Sequence, residues 1–175
     1  MVSRPDAAEY APYYGTYIGR VPDDNVAELL NRQRTIFEPL RSLTDAQALK
    51  RYAEDKWTVK QVIGHVNDAE RIFAYRMLRI ARGDATALAG FDQGPYVDIA
   101  NFDRLPLATL IDSFETARAS TLSIVTELDE NAWSRMGTAS GFPVSARALA
   151  FIIAGHVIHH AGILRDKYGL AMLEA

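Results

Sequence analysis

The fold is decided first by residues 152–169, which read IIAGHVIHHAGILRDKYG. His156 and His160 are four positions apart, so on an α-helix they differ by only ~40° in direction and stack one turn above the other. Gly169 follows two basic residues, a typical signal for the end of a helix. The pattern predicts a helix from about Ser145 to Tyr168 that buries both imidazoles. Its apolar stripe is made by Leu149, Ile152, Ile153 and Ile163.

A second helix is predicted from about Thr58 to Arg82. Thr58 and Gln61 form a capping-box pattern at its start, and Gly83 follows its end. His65 points in nearly the same direction as the apolar residues of this helix. A third imidazole is therefore expected in the interior, from a different helix. The apolar residues are Val62, Ala69, Ile72 and Ile80.

Two further helices complete the pattern. One runs from about Asp24 to Leu43 and has Gln33 as the only polar residue on its apolar face, and the other runs from near Pro106 to about Leu128. β-branched residues cluster too little to build a sheet. We therefore predict an all-α protein, an antiparallel four-helix bundle with long connections between its helices.

The bundle is predicted to be a single domain that spans residues 1–175. We expect residues 1–22 to form an ordered aromatic arm packed on the bundle, because so many rings are rarely left in water. The connection over residues 84–105 is long enough to cross the bundle or to form a lid, and residues 129–144 form a further connection. The tyrosines of the arm are Tyr10, Tyr13, Tyr14 and Tyr17.

Composition excludes several classes of function. The chain has 175 residues, of which 49% are hydrophobic and 23% charged, as in soluble globular proteins. Its net charge of -3 leaves no basic excess for binding nucleic acid. The absence of cysteine excludes disulfides, Cys-ligated zinc and a cysteine nucleophile. No apolar run approaches the ~20 residues of a membrane span, and the start lacks a signal peptide, so we expect a cytoplasmic protein without a membrane partner.

The histidines are the residues most suited to chemistry. Burying a polar ring without a partner costs on the order of a few kcal/mol, and a divalent metal removes this penalty because each neutral imidazole donates a lone pair. His65, His156 and His160 are therefore the predicted metal ligands. His159 points ~60° away from His156 on the other side and is interpreted as a rim residue, an outer hydrogen-bond donor or a ligand. Histidines that pack in the core and bind no metal are the alternative.

Other kinds of site fit the sequence less well. No Glu stands three residues before a His, as a ferritin-like di-iron centre needs, and Val157 excludes the His-Glu-x-x-His pattern. The sequence also has neither a G-x-S-x-G elbow nor a P-loop. Asp68 is either an outer partner of the ligands or a surface charge. The arginines of the second helix are interpreted as a solvated face, apart from Arg76, which projects on the His65 side as a candidate anion binder. This run is Arg71, Arg76, Arg79 and Arg82, and its expected partners are Asp68, Glu70 and Asp84.

Two segments resemble the helix signatures of the DinB-like superfamily, which includes the YfiT-like proteins. Residues 56–84, KWTVKQVIGHVNDAERIFAYRMLRIARGD, are similar to its second helix, and residues 152–169 are similar to its fourth. The stretches EYAPYYGTYI and GFDQGPYV are also similar to members of this group. The resemblance covers nearly the whole chain.

The resemblance implies a four-helix bundle in which three histidines hold a divalent metal, and the ligand positions fall on His65, His156 and His160. It implies a metal-dependent hydrolase, or a thiol-dependent transferase or isomerase that uses a low-molecular-weight thiol such as mycothiol or bacillithiol. It also implies a homodimer, because homodimers are frequent in the family.

Three neutral ligands would leave the metal its full charge and at least one open position for water or a small-molecule substrate. Zn, Ni and Fe all suit imidazole ligands, and binding is expected to weaken below about pH 6 as the rings take up protons. Since the chain has no cysteine, a thiol must be a cosubstrate. A non-enzymatic, stress-related metal-binding bundle is the alternative function.

No catalytic residue beyond the ligands is assigned from the sequence. Asp68 and Asp92 are candidate bases because they lie near the site, or near its expected lid, in the sequence. Phe91 and Tyr96 are candidate walls of the pocket.

Overall fold

The computed structural model describes residues 2–22 and 25–173. Three long helices dominate this part of the chain, and short helices, 3-10 turns and a hairpin connect them. The α-helices are α1 (Gly15–Ile18), α2 (Val26–Arg32), α3 (Asp45–Ala48), α4 (Val59–Ala81), α5 (Gln93–Ala100), α6 (Leu107–Glu127), α7 (Glu130–Ser134) and α8 (Ala146–Tyr168). The strands are β1 (Met136–Ala139) and β2 (Phe142–Ser145). The 3-10 turns are Ala7–Glu9, Pro12–Tyr14, Gln33–Thr35, Glu38–Ser42 and Phe102–Arg104.

The segment over residues 26–42 joins α4, α6 and α8 in a four-helix bundle, which confirms the predicted fold class. α4 packs against both α6 and α8, and α2 packs against the same two helices. One group of buried apolar side chains lies along α8 and the far half of α4. A second group lies between α6 and the first half of α4. The histidine-bearing positions of α4 and α8 thus face each other inside the bundle.

The ends of α4 and α8 lie where the sequence predicts them. Thr58 Oγ1 accepts a hydrogen bond from the Gln61 N–H at 3.0 Å, and the Gln61 side chain accepts one from the Thr58 N–H at 2.9 Å. This capping box satisfies two N–H groups at the start of α4. Ser145 Oγ caps α8 by accepting from the Ala148 N–H at 3.0 Å. α8 ends at Gly169, whose φ of 71° suits a residue without a side chain.

The first predicted helix, from Asp24 to Leu43, is not continuous. Asp24 lies outside the described residues, and the helix gives way to 3-10 turns after α2. An unbroken helix is wrong here, because α2 ends at Arg32 and Pro39, which has no N–H to donate, lies in the first turn of a later 3-10 helix. The start of α6 also differs slightly, because Pro106 precedes the helix and does not lie in its first turn.

The prediction that no strands form is wrong at one place. β1 and β2 pair as an antiparallel hairpin, whose turn places Ser140 at a φ of 53° and Gly141 at 81°. Positive φ at both positions is typical of a tight hairpin turn. The Leu88 N–H donates to the Thr138 carbonyl at 2.9 Å, and the Leu88 carbonyl accepts from the Ser140 N–H at 3.0 Å. Turn chemistry and this long-range pairing, not β-branched residues, form the hairpin.

A buried ion pair ties the bundle together. Arg118 on α6 donates from Nε and Nη2 to the two carboxylate oxygens of Glu70 on α4, at 2.8 and 2.9 Å. Gln33 accepts from Arg118 at 2.9 Å and donates to the Ala154 carbonyl on α8 at 3.1 Å, and Thr121 donates to Glu70 at 2.7 Å. The prediction that Glu70 is a solvated partner of the arginine run is therefore wrong. We refer to Gln33, Glu70, Arg118 and Thr121 as the Arg118 network.

The N-terminal segment, residues 2–22, lies against α8. Glu9 forms an ion pair with Arg147 of α8, and hydrogen bonding to that guanidinium lowers the pKa of Glu9 to about 2. Gly155 permits the closest approach, since a Cβ at this position would lie 2.0 Å from the Tyr17 carbonyl oxygen. Tyr17 is buried as a result, whereas Tyr13 is 63% exposed.

The connection over residues 84–105 crosses α4. Phe102 packs on Gly64, where a Cβ would lie 2.3 Å from the ring. Thr58 Oγ1 donates to Asp103 Oδ1 at 2.5 Å and fixes the far end of the connection to the start of α4. Its first half, before α5, therefore runs beside the face of α4 that carries His65.

α8 is the helix of the described chain that is long and apolar enough to cross a membrane, with a mean hydropathy of 1.4 over its most apolar window. Of that window, 72% is buried inside the protein. Its apolar residues thus form the core of the bundle.

Candidate metal centre

Three histidine side chains meet inside the bundle, one from α4 and two from α8. His65 Nε2 lies 3.1 Å from His156 Nε2, and His160 Nε2 lies 3.1 Å from the same atom. All three residues are buried, and their ligand atoms lie within 4.8 Å of one another. The helical spacing that places His156 one turn below His160 brings both rings toward His65, as the sequence predicts.

Hydrogen bonding among these rings cannot satisfy all three nitrogens. A neutral imidazole nitrogen carries either one proton or one lone pair. His156 Nε2 lies between two others and can therefore pair well with only one of them. One divalent ion bonded to all three nitrogens removes this conflict. In tetrahedral coordination at ~2.0–2.1 Å, two nitrogens lie roughly 3.3 Å apart, close to the observed spacing. The donor set fits a metal ion.

Burial keeps the imidazoles neutral. Loss of solvation lowers the pKa of His65 to about 4, with a smaller contribution from His159. Burial also lowers the pKa of His156 and His160 well below the ordinary value for histidine. Lone pairs are therefore available at neutral pH, which is the state that a metal requires. Protonation of these rings therefore requires a lower pH than that of an ordinary imidazole.

Aromatic rings surround the histidine cluster. The Trp57 ring lies 4.9 Å from that of His65, and the rings of Tyr17 and Phe73 lie 5.2 and 5.9 Å from that of His156. His160 Nδ1 is buried without a hydrogen-bond partner in the described part of the chain. These rings hold the imidazoles by packing, whereas metal-bound histidines usually donate their second nitrogen to an oxygen atom.

His159 points away from the cluster. Its ring lies 5.4 Å from that of Tyr17 and 4.9 Å from that of His160, and it lines a surface depression with Arg20. Burial also lowers the pKa of His159, although its side chain is only partly buried. His159 therefore lies at the rim of the cluster, which is one of the interpretations that the sequence left open.

A cavity of about 300 Å³ opens onto His65 and His156. The N-terminal segment contributes three tyrosines to its wall, the connection before α5 contributes an acid, and the first residue of α5 contributes an amide. The lining residues are Tyr13, Tyr14, Tyr17, His65, Ala69, Phe73, Phe91, Asp92, Gln93 and His156. A second cavity of about 170 Å³ reaches His160 from the other side, between Trp57 and Tyr168. The cluster is therefore accessible to a small molecule.

Only some of the other predicted site residues line the cavity. Phe91 and Asp92 line the cavity, and Asp92 Oδ1 accepts a hydrogen bond from the Gly94 N–H at 3.1 Å at the start of α5. Tyr96 does not line it, although its ring lies 5.3 Å from that of Phe91. Asp68 forms a surface ion pair with Arg71 at 3.6 Å, and partial burial raises its pKa.

Sequence reasoning missed the tyrosines as walls of the site. Tyr13 and Tyr17 share a hydrogen bond between their hydroxyls at 2.9 Å, at the mouth of the cavity. Burial and this hydrogen bond raise the pKa of Tyr17 above the ordinary value, so the hydroxyl stays protonated. The cluster of tyrosines in residues 1–22 was the available signal, but nothing local in the sequence links it to His156.

The fold and the histidine cluster define a helical bundle with a candidate metal centre. The family model of the DinB superfamily matches residues 29–164, a range that contains all three histidines. The chain belongs to the DinB superfamily.

Solved structures agree with this fold. YfiT from Bacillus subtilis, described as a probable metal-dependent hydrolase with an unusual four-helix bundle topology, aligns over 97% of this chain and 95% of its own, with a TM-score of 0.72 and 14% identity. A mycothiol-dependent maleylpyruvate isomerase aligns with a TM-score of 0.68 and 21% identity, over 88% of this chain and 63% of its own. No curated protein matches the chain significantly in sequence.

Proposed function

We propose that the protein is a metal-dependent enzyme that acts on a small molecule, with His65, His156 and His160 as the ligands of one divalent ion. The observation that carries the proposal is the convergence of three neutral Nε2 atoms at the end of an open cavity. Structural zinc sites are closed by four protein ligands, and the described residues offer three here. The open position favours an enzyme over a bundle that only stores or senses metal.

When bound, the ion supplies Lewis-acid chemistry, which polarises a carbonyl group or lowers the pKa of a water or thiol. The residues of the cavity supply the rest. The protonated Tyr17 hydroxyl is a hydrogen-bond donor for an oxygen atom of the substrate. Asp92 is the carboxylate among the described lining residues, and it is the candidate to accept a proton. The tyrosine and phenylalanine rings exclude water from the reacting groups.

The reaction class is hydrolysis or a thiol-dependent S-transfer. The likeness of the fold to a metal-dependent hydrolase and to a mycothiol-dependent isomerase supports both. A thiol must enter as a cosubstrate, because the chain contains no cysteine. Zn, Ni and Fe remain the candidate ions. A cytoplasmic location and a homodimer remain predictions of the sequence.

The decisive test is the metal content of untagged protein, measured by mass spectrometry. We expect close to one divalent ion per chain in the wild type and background levels after H65A, H156A or H160A. The matched control is H159A, which removes an adjacent imidazole outside the cluster and should retain the ion. Background metal in the wild type after refolding with Zn, Ni or Fe would refute the metal centre.

Activity is tested on the same preparations. Hydrolysis of small esters and amides, and loss of free thiol from a mixture of a low-molecular-weight thiol and an electrophile, should require the metal and disappear in H156A. D92N should lower the rate while the metal is retained. A metal-loaded protein without either activity would favour the non-enzymatic bundle.

A further inference from the structure

Arg76 is a buried cation without an acidic partner. The side chain lies on α4, three turns beyond His65, and is 2% exposed. Its Nη2 donates to the Ala89 carbonyl at 2.6 Å and to Ser140 Oγ at 3.2 Å. No Asp or Glu of the described residues forms an ion pair with it. A buried charge is normally paired, because desolvation is otherwise uncompensated.

The partners of Arg76 account for only part of the guanidinium. The Cζ atom lies 5.8 Å from the ring centres of Phe73 and of Phe91, which stabilises the positive charge. Nε and Nη1 make no hydrogen bond to the part of the chain that the structure describes. The Arg76 side chain lines the open space beside α4.

That space is a groove of about 460 Å³ between α4 and the connection before α5. Three of its lining side chains are arginines, three are aromatic and none is acidic. The charged and aromatic lining residues are Arg71, Arg76, Arg79, Tyr75, Phe91 and Tyr96. Arg71 and Arg79 are tied to Asp68 and Asp84 at the rim, which leaves Arg76 as the uncompensated charge.

We propose that this groove binds an oxyanion group, a carboxylate or a phosphate, of a small molecule that carries a planar or apolar part. The free N–H groups of Arg76 hold the anion, since guanidinium groups hydrogen-bond to both kinds of group. The aromatic rings of the groove contact the rest of the molecule. Ser140 positions Arg76: its backbone has a φ of 53°, a conformation that a serine rarely adopts, and its hydroxyl accepts from the guanidinium.

Phe91 lines both this groove and the cavity of the histidine cluster. A molecule anchored at Arg76 and long enough to pass Phe91 would reach His65. This last step rests on the proposed function, whereas anion binding at Arg76 does not.

The test compares benzoate, phenyl phosphate and benzamide, a neutral molecule of nearly the same shape as benzoate, by calorimetry and by NMR titration of the wild-type protein. We expect at least one of the two anions to bind tenfold or more tightly than benzamide and to shift the Arg76 Nε–H resonance. The two anions distinguish a carboxylate site from a phosphate site. Equal binding of all three molecules, or an unchanged Arg76 resonance at saturation, would overturn the proposal.

Variants complete the experiment. R76M should abolish the preference for the anion, and R76K should retain part of it because the charge remains while the guanidinium hydrogen bonds are lost. R82Q is the matched control, since Arg82 directly follows the same helix, pairs with Glu127 and does not line the groove. H156A should bind the anion like the wild type, which separates this site from the metal centre. If R76M does not fold, the wild-type resonance decides.

Discussion

The bundle contains two buried polar groups of very different character, the Arg118 network and the histidine cluster. In the Arg118 network, both oxygens of Glu70 accept from Arg118, and Gln33 and Thr121 supply further hydrogen bonds. In the histidine cluster, three like nitrogens face one another and His160 Nδ1 has no partner in the described chain. The first is complete within the protein, whereas the second leaves polar atoms without partners among the described residues.

The difference indicates how buried polarity divides between structure and function. A complete network fixes how helices pack, and removing one member leaves an uncompensated charge. An incomplete one is maintained by the surrounding fold and stores the capacity to bind a ligand. Each of the following experiments should affect one group and leave the other intact.

The largest effect is expected from E70A. It leaves Arg118 buried without its counter-charge and should destabilise the protein by about 3–5 kcal/mol. Urea unfolding of the metal-free protein measures this loss. E127A is the control, because Glu127 pairs with Arg82 on the surface and its removal should change the stability by about 1 kcal/mol or less. Similar effects of the two variants would contradict the assignment of the Arg118 network as the structural one.

A comparable effect should appear at the histidine cluster only when metal is present. An ion that binds the folded state alone stabilises it by about 4 kcal/mol at a thousand times its dissociation constant. H156A should abolish this metal-dependent gain, measured as the difference in unfolding free energy with and without a chelator. An equal gain in H156A and wild type would mean that the ion binds elsewhere.

The next largest loss of stability is expected when the metal-free protein is acidified. The unfolded state takes up a proton at His65 near the ordinary pKa of ~6.5, whereas the folded state resists until about pH 4. Stability is therefore complete above the unfolded pKa and is lost as the pH falls from about 6.5 to 4, by about 3 kcal/mol for this residue. Urea unfolding across this range measures the loss. H65A should flatten the slope, and a slope unchanged by H65A would contradict the assigned cause.

Much of the cluster could be predicted from the sequence because its geometry is local. Helical periodicity places His156 and His160 on one buried face, and capping signals at Thr58 and Gly169 mark where the helices begin and end. The Arg118 network could not be predicted in the same way. From the sequence, Glu70 is interpreted as a surface charge, and only the packing of α4 against α6 brings it to Arg118.

The residues that surround the cluster could not be predicted from the sequence either. Tyr17 lies far from His156 in sequence, and the break after Arg32 and the turn at Ser140 depend on backbone detail that hydrophobic periodicity does not report. The predictable part of the site is thus the set of three histidines that meet in the cluster. The unpredictable part is the wall that closes over it.

The smallest expected effect isolates that wall. In G155A, the new Cβ would lie 2.0 Å from the Tyr17 carbonyl, so the N-terminal segment must shift, at a cost of about 1–3 kcal/mol. Hydrogen exchange should rise in residues 10–18 and remain unchanged in α4, with the metal retained. G162A is the matched control on the same helix, because a Cβ there meets nothing within 4 Å. If G155A released the metal without loosening residues 10–18, the N-terminal segment would not be the wall of the cluster, and the separation of ligands from wall would fail.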